Sequence, residues 1–159
     1  MLKNFKKILG IEGVKIDISI DEIQSHPFLL SGFLHFTTFQ PNVISSFSIK
    51  LVEEYSLGRG KSFKNVEYNL GEKSYNEAII LDANSSLEIN FSIPFKFYLS
   101  EMDEMENDYI FLKPFIKAAK KIKNVDSKFF LKVDAIVEGS VINSILKKEI
   151  QRSLLNISK

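Results

Sequence analysis

The chain has 159 residues, a net charge of +1, 14 phenylalanines and no cysteine. Its length suits one domain, and its near-neutral charge gives no overall attraction to nucleic acid. The missing cysteines exclude disulfides, thiolate zinc sites and cysteine nucleophiles, and they favour a reducing cytoplasm. No apolar run approaches the roughly 20 residues needed to cross a bilayer.

The first segment is basic and partly apolar. Residues 2–9 place apolar side chains on one side of a helix and lysines on the other. The apolar positions are Leu2, Phe5, Ile8 and Leu9, and the lysines are Lys3, Lys6 and Lys7. Gly10 and Gly13 would end this helix. We expect residues 1–13 to form a short basic helix or arm, which either packs on the domain or contacts a partner or a membrane surface.

Alternating apolar and polar residues predict six strands before residue 96. They span residues 14–20, 28–38, 43–55, 62–70, 77–82 and 87–95. Pro27 indicates a turn between the first two strands, and a turn of hairpin type is predicted at residues 71–73. Gly32, in the middle of the second strand, indicates a bulge or a close approach of another backbone. The break between Phe63 and Val66 predicts a bulge or irregular edge.

The pattern changes between residues 100 and 123. Five carboxylates between Glu101 and Asp108 precede apolar residues at helical spacing. Pro114 suits the first turn of a helix, and acidic residues before basic ones match the helix dipole. These features predict an amphipathic helix over 112–123. Its candidate partner contacts are Lys117, Lys120, Lys121 and Lys123. The alternative is that the apolar stripe only covers the core and the lysines only face water.

A long strand is predicted from residue 127, because Phe129, Leu131, Val133, Ala135 and Val137 alternate with wetter positions. Residues 141–145 fit a loop or short strand, and residues 147–155 fit either a helix or an edge strand. The strand spacing predicts a mainly β fold, an antiparallel immunoglobulin-like sandwich with one inserted helix near 112–123. We expect a single domain over 1–159, with the sandwich at 14–155.

Several short motifs resemble the bacterial sporulation-control arrestin-like proteins. The opening, from Phe5 to Asp17, is similar to their basic helix, glycine-marked turn and first strand. Three further segments resemble arrestin-type strands, and they lie at residues 30–36, at residues 91–95 and at residues 130–139 followed by 147–150. The resemblance implies an arrestin-type sandwich with a regulatory or adaptor role, and it implies no catalytic residue. Arrestins carry two such sandwiches, whereas this chain has the length for one.

Few residues offer catalytic or metal-binding chemistry. His26 and His35 lie nine residues apart with no cysteine to complete a metal set. The acidic run at 101–108 lacks the spacing and the glycine of a calcium loop. The glycines at 58 and 60 flank an arginine but form no phosphate-binding motif, so a tight turn is favoured. We therefore expect no cofactor, no metal and no enzymatic activity.

The sequence thus predicts a non-enzymatic regulatory or adaptor module that binds a protein partner. Binding would use an exposed sheet edge, by strand addition, or the lysine-rich segments. Peripheral membrane contact and a homodimer formed by edge pairing stay open, and nucleic acid is not expected. The alternative is a small-molecule or carbohydrate-binding accessory domain. Its binding face would carry Tyr55, Tyr68, Tyr75 and Tyr98, although the chain has no tryptophan for sugar stacking.

Overall fold

A computed structural model describes residues 13–25, 28–57, 61, 64–96 and 126–155. The strands in these residues are β1 (Lys15–Ser25), β2 (Phe28–Thr38), β3 (Asn42–Leu57), β4 (Lys64–Tyr75), β5 (Ile79–Leu81), β6 (Ser85–Pro94), β7 (Asp126–Val137) and β8 (Ser144–Ile150). A 3-10 helix, Arg152–Leu155, follows β8. The helices predicted at 2–9 and 112–123 lie outside the described residues.

The strands form two antiparallel sheets. Sheet A has the order β1-β2-β6, and sheet B has the order β4-β3-β7-β8, with β5 paired to the start of β3. Every pairing is antiparallel, and the two inner faces enclose one core. The predicted class, a mainly β antiparallel sandwich, is confirmed.

The core is built from the alternating positions that the sequence indicates. On β7, the side chains of Phe129, Leu131, Val133, Ala135 and Val137 are all at most 3% exposed. Burying one aliphatic or phenylalanine side chain of this kind contributes about 1.5–3 kcal/mol relative to leaving it in water. The inner face of sheet B therefore supplies much of the stability of the fold.

Aromatic side chains join the two sheets within the core. The ring of Phe47 on β3 packs edge-on against Phe36 on β2, with centroids 5.2 Å apart. On its other side Phe47 stacks on Tyr75, with centroids 4.4 Å apart. Such ring pairs add about 0.5–1.5 kcal/mol beyond their buried area. Part of the high phenylalanine content thus serves contacts across the sandwich.

Gly32 lies where two strands approach closely. A Cβ atom at this position would be 2.1 Å from the carbonyl oxygen of Ser19 and 3.1 Å from the ring of Phe91. The β1–β2 register shifts between Ile20 and Glu22. The predicted close approach is confirmed, and the irregularity lies in the partner strand β1.

The turn predicted at residues 71–73 is wrong. These residues lie inside β4, because β3 is long enough to pair with both halves of that strand. Pairing shifts by one residue between Leu51 and Val52. Beside the shift, the amide of Lys96 donates to the carbonyl oxygen of Leu70 at 2.9 Å. The irregular stretch thus joins β4 to the chain that leaves β6.

The other boundaries differ by a few residues. Strand β1 continues to Ser25, past the predicted end at residue 20, and β5 is shorter than the predicted 77–82. Residues 144–150 form an edge strand. Of the segment 147–155, for which the sequence fits either a helix or an edge strand, residues 147–150 are therefore strand. Pairing with β7 decides this outcome, since the sequence pattern there fits two periods.

The register defines two ends of the sandwich. At the hairpin end lie the start of β1, the β2–β3 turn, β5, the start of β6 and the β7–β8 turn at residues 138–143. At the far end lie the end of β1, the end of β6 and the start of β7. Residue 13 therefore enters at the hairpin end, whereas residues 96 and 126 lie at the far end.

Candidate functional site

All lysines predicted from the sequence as partner contacts lie outside the described residues. They are Lys3, Lys6, Lys7, Lys117, Lys120, Lys121 and Lys123. Their role stays a prediction. What the structure does show is where their segments attach, the first at the hairpin end and the second at the far end.

The outer face of sheet B carries a cluster of paired charges. On β7, Lys132 Nζ lies 3.0 Å from Glu54 Oε1 and 2.5 Å from Glu67 Oε2. On β8, Lys147 Nζ lies 2.6 Å from Glu54 Oε1 and 4.0 Å from the centroid of the Phe130 ring. The cluster links β4, β3, β7 and β8 across the sheet.

The paired charges shift the pKa values of two members. The hydrogen bond from Lys147 is the main cause that holds the pKa of Glu54 below its ordinary value of 4.5, with Lys132 adding to it against partial burial. Burial alone would lower the pKa of Lys132, but hydrogen bonds to Glu67 and Glu54 outweigh it, so that pKa lies above 10.5. Both shifts favour the charged forms, so this cluster stabilises the sheet.

Beyond this cluster, towards the hairpin end, the surface becomes apolar. Five β-branched side chains are exposed there, and we call them the isoleucine patch: Ile80 (79% exposed), Ile136 (48%), Val141 (79%), Ile142 (53%) and Ile145 (68%). Ile136 and Ile145 are diagonal neighbours on β7 and β8, because Asp134 pairs with Ile145. Ile80 lies on β5, beyond the half-buried Val43 with which it pairs. The β7–β8 turn contributes the other two.

Carboxylates border the isoleucine patch. Asp134 on β7 accepts a hydrogen bond from Asn143 Nδ2 at 2.7 Å, and exposed Glu138 follows the end of β7. Among the described residues, neither carboxylate forms an ion pair. The nearby Lys147 is directed at Glu54 and Phe130. The patch is therefore apolar with a negatively charged rim.

The edges of the two sheets meet where β1 and β8 lie side by side. Lys148 Nζ on β8 donates to the carbonyl oxygen of Ile18 on β1 at 2.6 Å, and it lies 3.8 Å from Asp17 Oδ1. That same carboxylate accepts from the amide of Ile18 at 2.8 Å. Side chains therefore pair with both the amide and the carbonyl oxygen of Ile18. Charged side chains on an edge strand commonly protect it against pairing with another chain.

Three polar side chains form a row across sheet A. Ser19 Oγ lies 3.1 Å from His35 Nε2, and His35 Nδ1 lies 3.3 Å from Glu88 Oε2. The order serine, imidazole, carboxylate is that of hydrolase triads, but such a site also needs donors for an oxyanion in a water-excluded setting. Here the His35 and Glu88 side chains are 37% and 56% exposed on an open sheet face. We interpret the row as surface hydrogen bonding.

Sequence reasoning considered His35 only together with His26, because Ser19 and Glu88 become neighbours of His35 only through strand register. His26 lies outside the described residues. Within the part of the chain that is described, no group of three or more His, Cys, Asp or Glu residues could hold a metal ion.

The three tyrosines of the small-molecule alternative that the structure describes do not form one surface. The rings of Tyr55 and Tyr68 meet edge-on, with centroids 6.5 Å apart. Tyr75 instead stacks on Phe47 in the sandwich, and Tyr98 lies outside the described residues. The structure therefore brings together two of the four predicted positions. In the described segments no helix is both long and apolar enough to cross a membrane.

Comparison with known proteins places the fold. No protein-family sequence model matches the chain, and no curated protein sequence does. Among solved structures, the chain is similar to the sporulation control protein Spo0M from Bacillus subtilis, with a TM-score of 0.56 and 8% sequence identity. The match covers 86% of this chain and 48% of that one, so the chain spans about half the length of this neighbour. At that identity the likeness concerns the fold alone, and it agrees with the arrestin-like sandwich expected from the sequence.

Proposed function

We propose that the chain is a non-enzymatic regulatory or adaptor module that binds a protein partner through the isoleucine patch. The partner offers an exposed segment whose apolar side chains are flanked by lysine or arginine. The observation that carries the proposal is that five β-branched side chains are exposed at the hairpin end, three of them on β5, β7 and β8 and two in the β7–β8 turn. Similarity of fold to a sporulation control protein supports a regulatory role, and the absence of cysteine supports a cytoplasmic setting.

The apolar part of the contact supplies the affinity. The patch exposes on the order of 500 Å², a size at which apolar patches on soluble proteins often mark interaction sites. At about 25 cal/mol per Å², covering it contributes roughly 12 kcal/mol before association costs of about 4–15 kcal/mol. A contact of this size predicts a weak or transient complex. β-Branched side chains lose little rotamer freedom on binding, which favours their use at such a surface.

The charged rim supplies the selectivity. Asp134 and Glu138 carry carboxylates without a cationic partner among the described residues, so a partner with basic residues beside its apolar ones gains favourable contacts. A partner with acidic flanks meets like charges, which slows association and weakens binding. The neighbouring charge cluster is already paired internally and offers less to a partner.

Methyl NMR of the isoleucine-labelled protein tests the proposal with two synthetic peptides. They share one apolar core and are flanked by lysines in one case and by glutamates in the other. We expect the lysine-flanked peptide to shift the methyl signals of Ile136, Ile142 and Ile145 and to bind at least several-fold more tightly than its counterpart. Equal affinity for both peptides, or shifts that map elsewhere, would contradict the proposal.

Two variants make the test specific. Ile145→Ser removes an exposed apolar side chain from the patch and should weaken binding, whereas Leu154→Ser removes one that is 52% exposed in the 3-10 helix and should leave it unchanged. Glu138→Lys reverses a charge of the rim and should reduce the preference for the lysine-flanked peptide. Equal effects of the two serine substitutions would refute the assignment of the patch.

A further inference from the structure

We propose that the free edge of β6 pairs with the same edge of a second copy of this chain. The pairing is antiparallel, and sheet A then continues across a two-fold axis at Ile89. This inference goes beyond the proposed function, because it concerns an edge of sheet A and uses no residue of the isoleucine patch. It also specifies which sheet edge would carry the homodimer that the sequence leaves open.

The hydrogen bonds of β6 show which of its main-chain groups point away from β2. The amide of Phe95 donates to the carbonyl oxygen of Phe28 at 3.1 Å, and the β2–β6 register has no shift. Because hydrogen-bonded and non-hydrogen-bonded pairs alternate in an antiparallel ladder, the odd-numbered residues of β6 bond β2 and the even-numbered ones face outward. Lys96 follows the same rule, since its amide donates to Leu70 on β4 and not to β2.

The first half of this outward edge is open. It is formed by the main-chain groups of Ser86, Glu88 and Asn90, and all three residues are exposed. In the described segments β6 pairs with β2 alone, and no hydrogen bond from another described group reaches these outward amides and carbonyl oxygens. The edge closes towards the end of the strand, because Pro94 has no N–H and a Cβ atom at Gly71 on β4 would be only 2.5 Å from its carbonyl oxygen.

The other sheet edges carry protection that β6 lacks. On β1, the side chains of Asp17 and Lys148 bond the main-chain groups of Ile18, and they do so beside β8. Strand β4 carries four charged residues and a register shift, and β5 is only three residues long. Strand β6 instead has a regular register and a single charged residue, Glu88. Charges, bulges and short strands keep edges from pairing with other chains, so β6 is the edge best suited to pairing.

This edge is complementary to itself in one register. With the two-fold axis at Ile89, Glu88 lies opposite Asn90 of the second copy, and both residues face outward. Each such pair exchanges two main-chain hydrogen bonds, and it sets a carboxylate beside an amide. A register centred at Glu88 would oppose two carboxylates, which is unfavourable. One centred at Leu87 would use Asn84, which lies in a turn with a φ of 55°.

Apolar side chains on the inner side of the edge also gain from the pairing. Leu87 is 36% exposed and Ile89 is half-buried, although their partners on β2, Phe36 and Leu34, are fully buried. In the proposed register, Ile89 lies opposite Ile89 of the second copy and Leu87 lies opposite Phe91. The contact is small beside a standard interface of about 1,600 Å², so we expect a dissociation constant in the micromolar to millimolar range.

NMR of the isotope-labelled full chain at rising protein concentration tests the pairing. We expect the amide signals of Ser86, Glu88 and Asn90 to shift and their hydrogen exchange to slow as the concentration rises. The amide of Ile89 bonds β2 and should be protected at every concentration. Sedimentation equilibrium over the same range gives the dissociation constant of the dimer.

Charge substitutions at Asn90 test the register. Asn90→Glu places two carboxylates opposite each other at both symmetric pairs and should weaken the dimer by about 2–30-fold, whereas Asn90→Lys should strengthen it by a similar factor. Glu88→Lys combined with Asn90→Glu restores opposite charges and should dimerise at least as well as wild type. Asn65→Glu and Asn65→Lys, at an exposed position of β4, are the matched controls and should change nothing. Thermal unfolding checks that every variant is folded.

Three outcomes would overturn the inference. The first is a chain that stays monomeric at millimolar concentration. The second is slow exchange of the outward amides in dilute protein, which would mean that another part of the same chain covers the edge. The third is an equal effect of the substitutions at Asn90 and Asn65, which would trace the association to net charge. None of these outcomes depends on whether a peptide binds the isoleucine patch.

Discussion

Gly32→Ala is the sharpest single test of the sandwich geometry. The new Cβ atom would be 2.1 Å from the carbonyl oxygen of Ser19 and 3.0 Å from the Cα atom of Ile20. Both contacts are to the backbone of β1, which has no rotamer with which to move aside. Strand β1 must therefore shift relative to β2 or give up part of its pairing.

The expected cost follows from that contact. Overpacking a core typically costs about 1–3 kcal/mol, and a clash with two backbone atoms of β1 belongs at the upper end. Alanine also restricts the unfolded chain, which returns about 0.4–1 kcal/mol. We expect a net loss of about 2–3 kcal/mol in the free energy of unfolding. For a chain of this size, that corresponds to a decrease in Tm of about 4–12 °C.

Urea unfolding followed by circular dichroism measures the loss. With an m value of about 2 kcal/mol/M, the midpoint should fall by roughly 1–1.5 M. Thr37→Ala, at an exposed position of the same strand, is the matched control and should change stability by less than about 0.5 kcal/mol. A loss below about 1 kcal/mol for Gly32→Ala would refute the close approach of β1 to β2.

Two further predictions concern charged side chains. The pKa of Glu54 is lowered in the folded state, so its carboxylate stabilises the fold above pH 4.5 and loses that effect as the pH falls through its folded value. Glu54→Gln should therefore lower the free energy of unfolding by about 1 kcal/mol at neutral pH. Urea titrations should show that this difference between wild type and variant shrinks in acid, whereas a difference that is constant with pH would argue against the paired cluster. Lys148→Met removes the donor to the carbonyl oxygen of Ile18 and should increase the concentration-dependent association measured by light scattering. The control Lys147→Met, on the outer face of sheet B, should not increase it. Equal association of the two variants would rule out protection of the edge by Lys148.

Much of the core was predictable from alternation alone. Val133 and its neighbours at every second position of β7 are buried, as the pattern indicates. The same holds on β2, where Leu30, Leu34 and Phe36 face the core. Period-two patterns identify the inner face reliably when both sheets are long, because a one-residue slip would expose the whole apolar set.

The candidate site was much less predictable. Ile136 lies at an outward position of the β7 alternation, so the pattern indicates its face, but nothing local to Ile145 distinguishes an exposed side chain from a buried one. Their exposure follows from the pairing of β7 with β8 and from the position of β8 at the edge of sheet B. The row formed by Ser19, His35 and Glu88 has the same origin, since its members lie on three strands.

The sequence by itself determined the class of fold, the inner face of the long strands and the close approach at Gly32, because these depend on local periodicity and on the size of one residue. The tertiary structure decided that residues 71–73 continue β4, that Lys148 reaches across to β1 and that apolar side chains gather at the hairpin end. Each of these depends on which strands become neighbours and in what register. Such pairings join residues far apart in the chain, so no short window of sequence contains them.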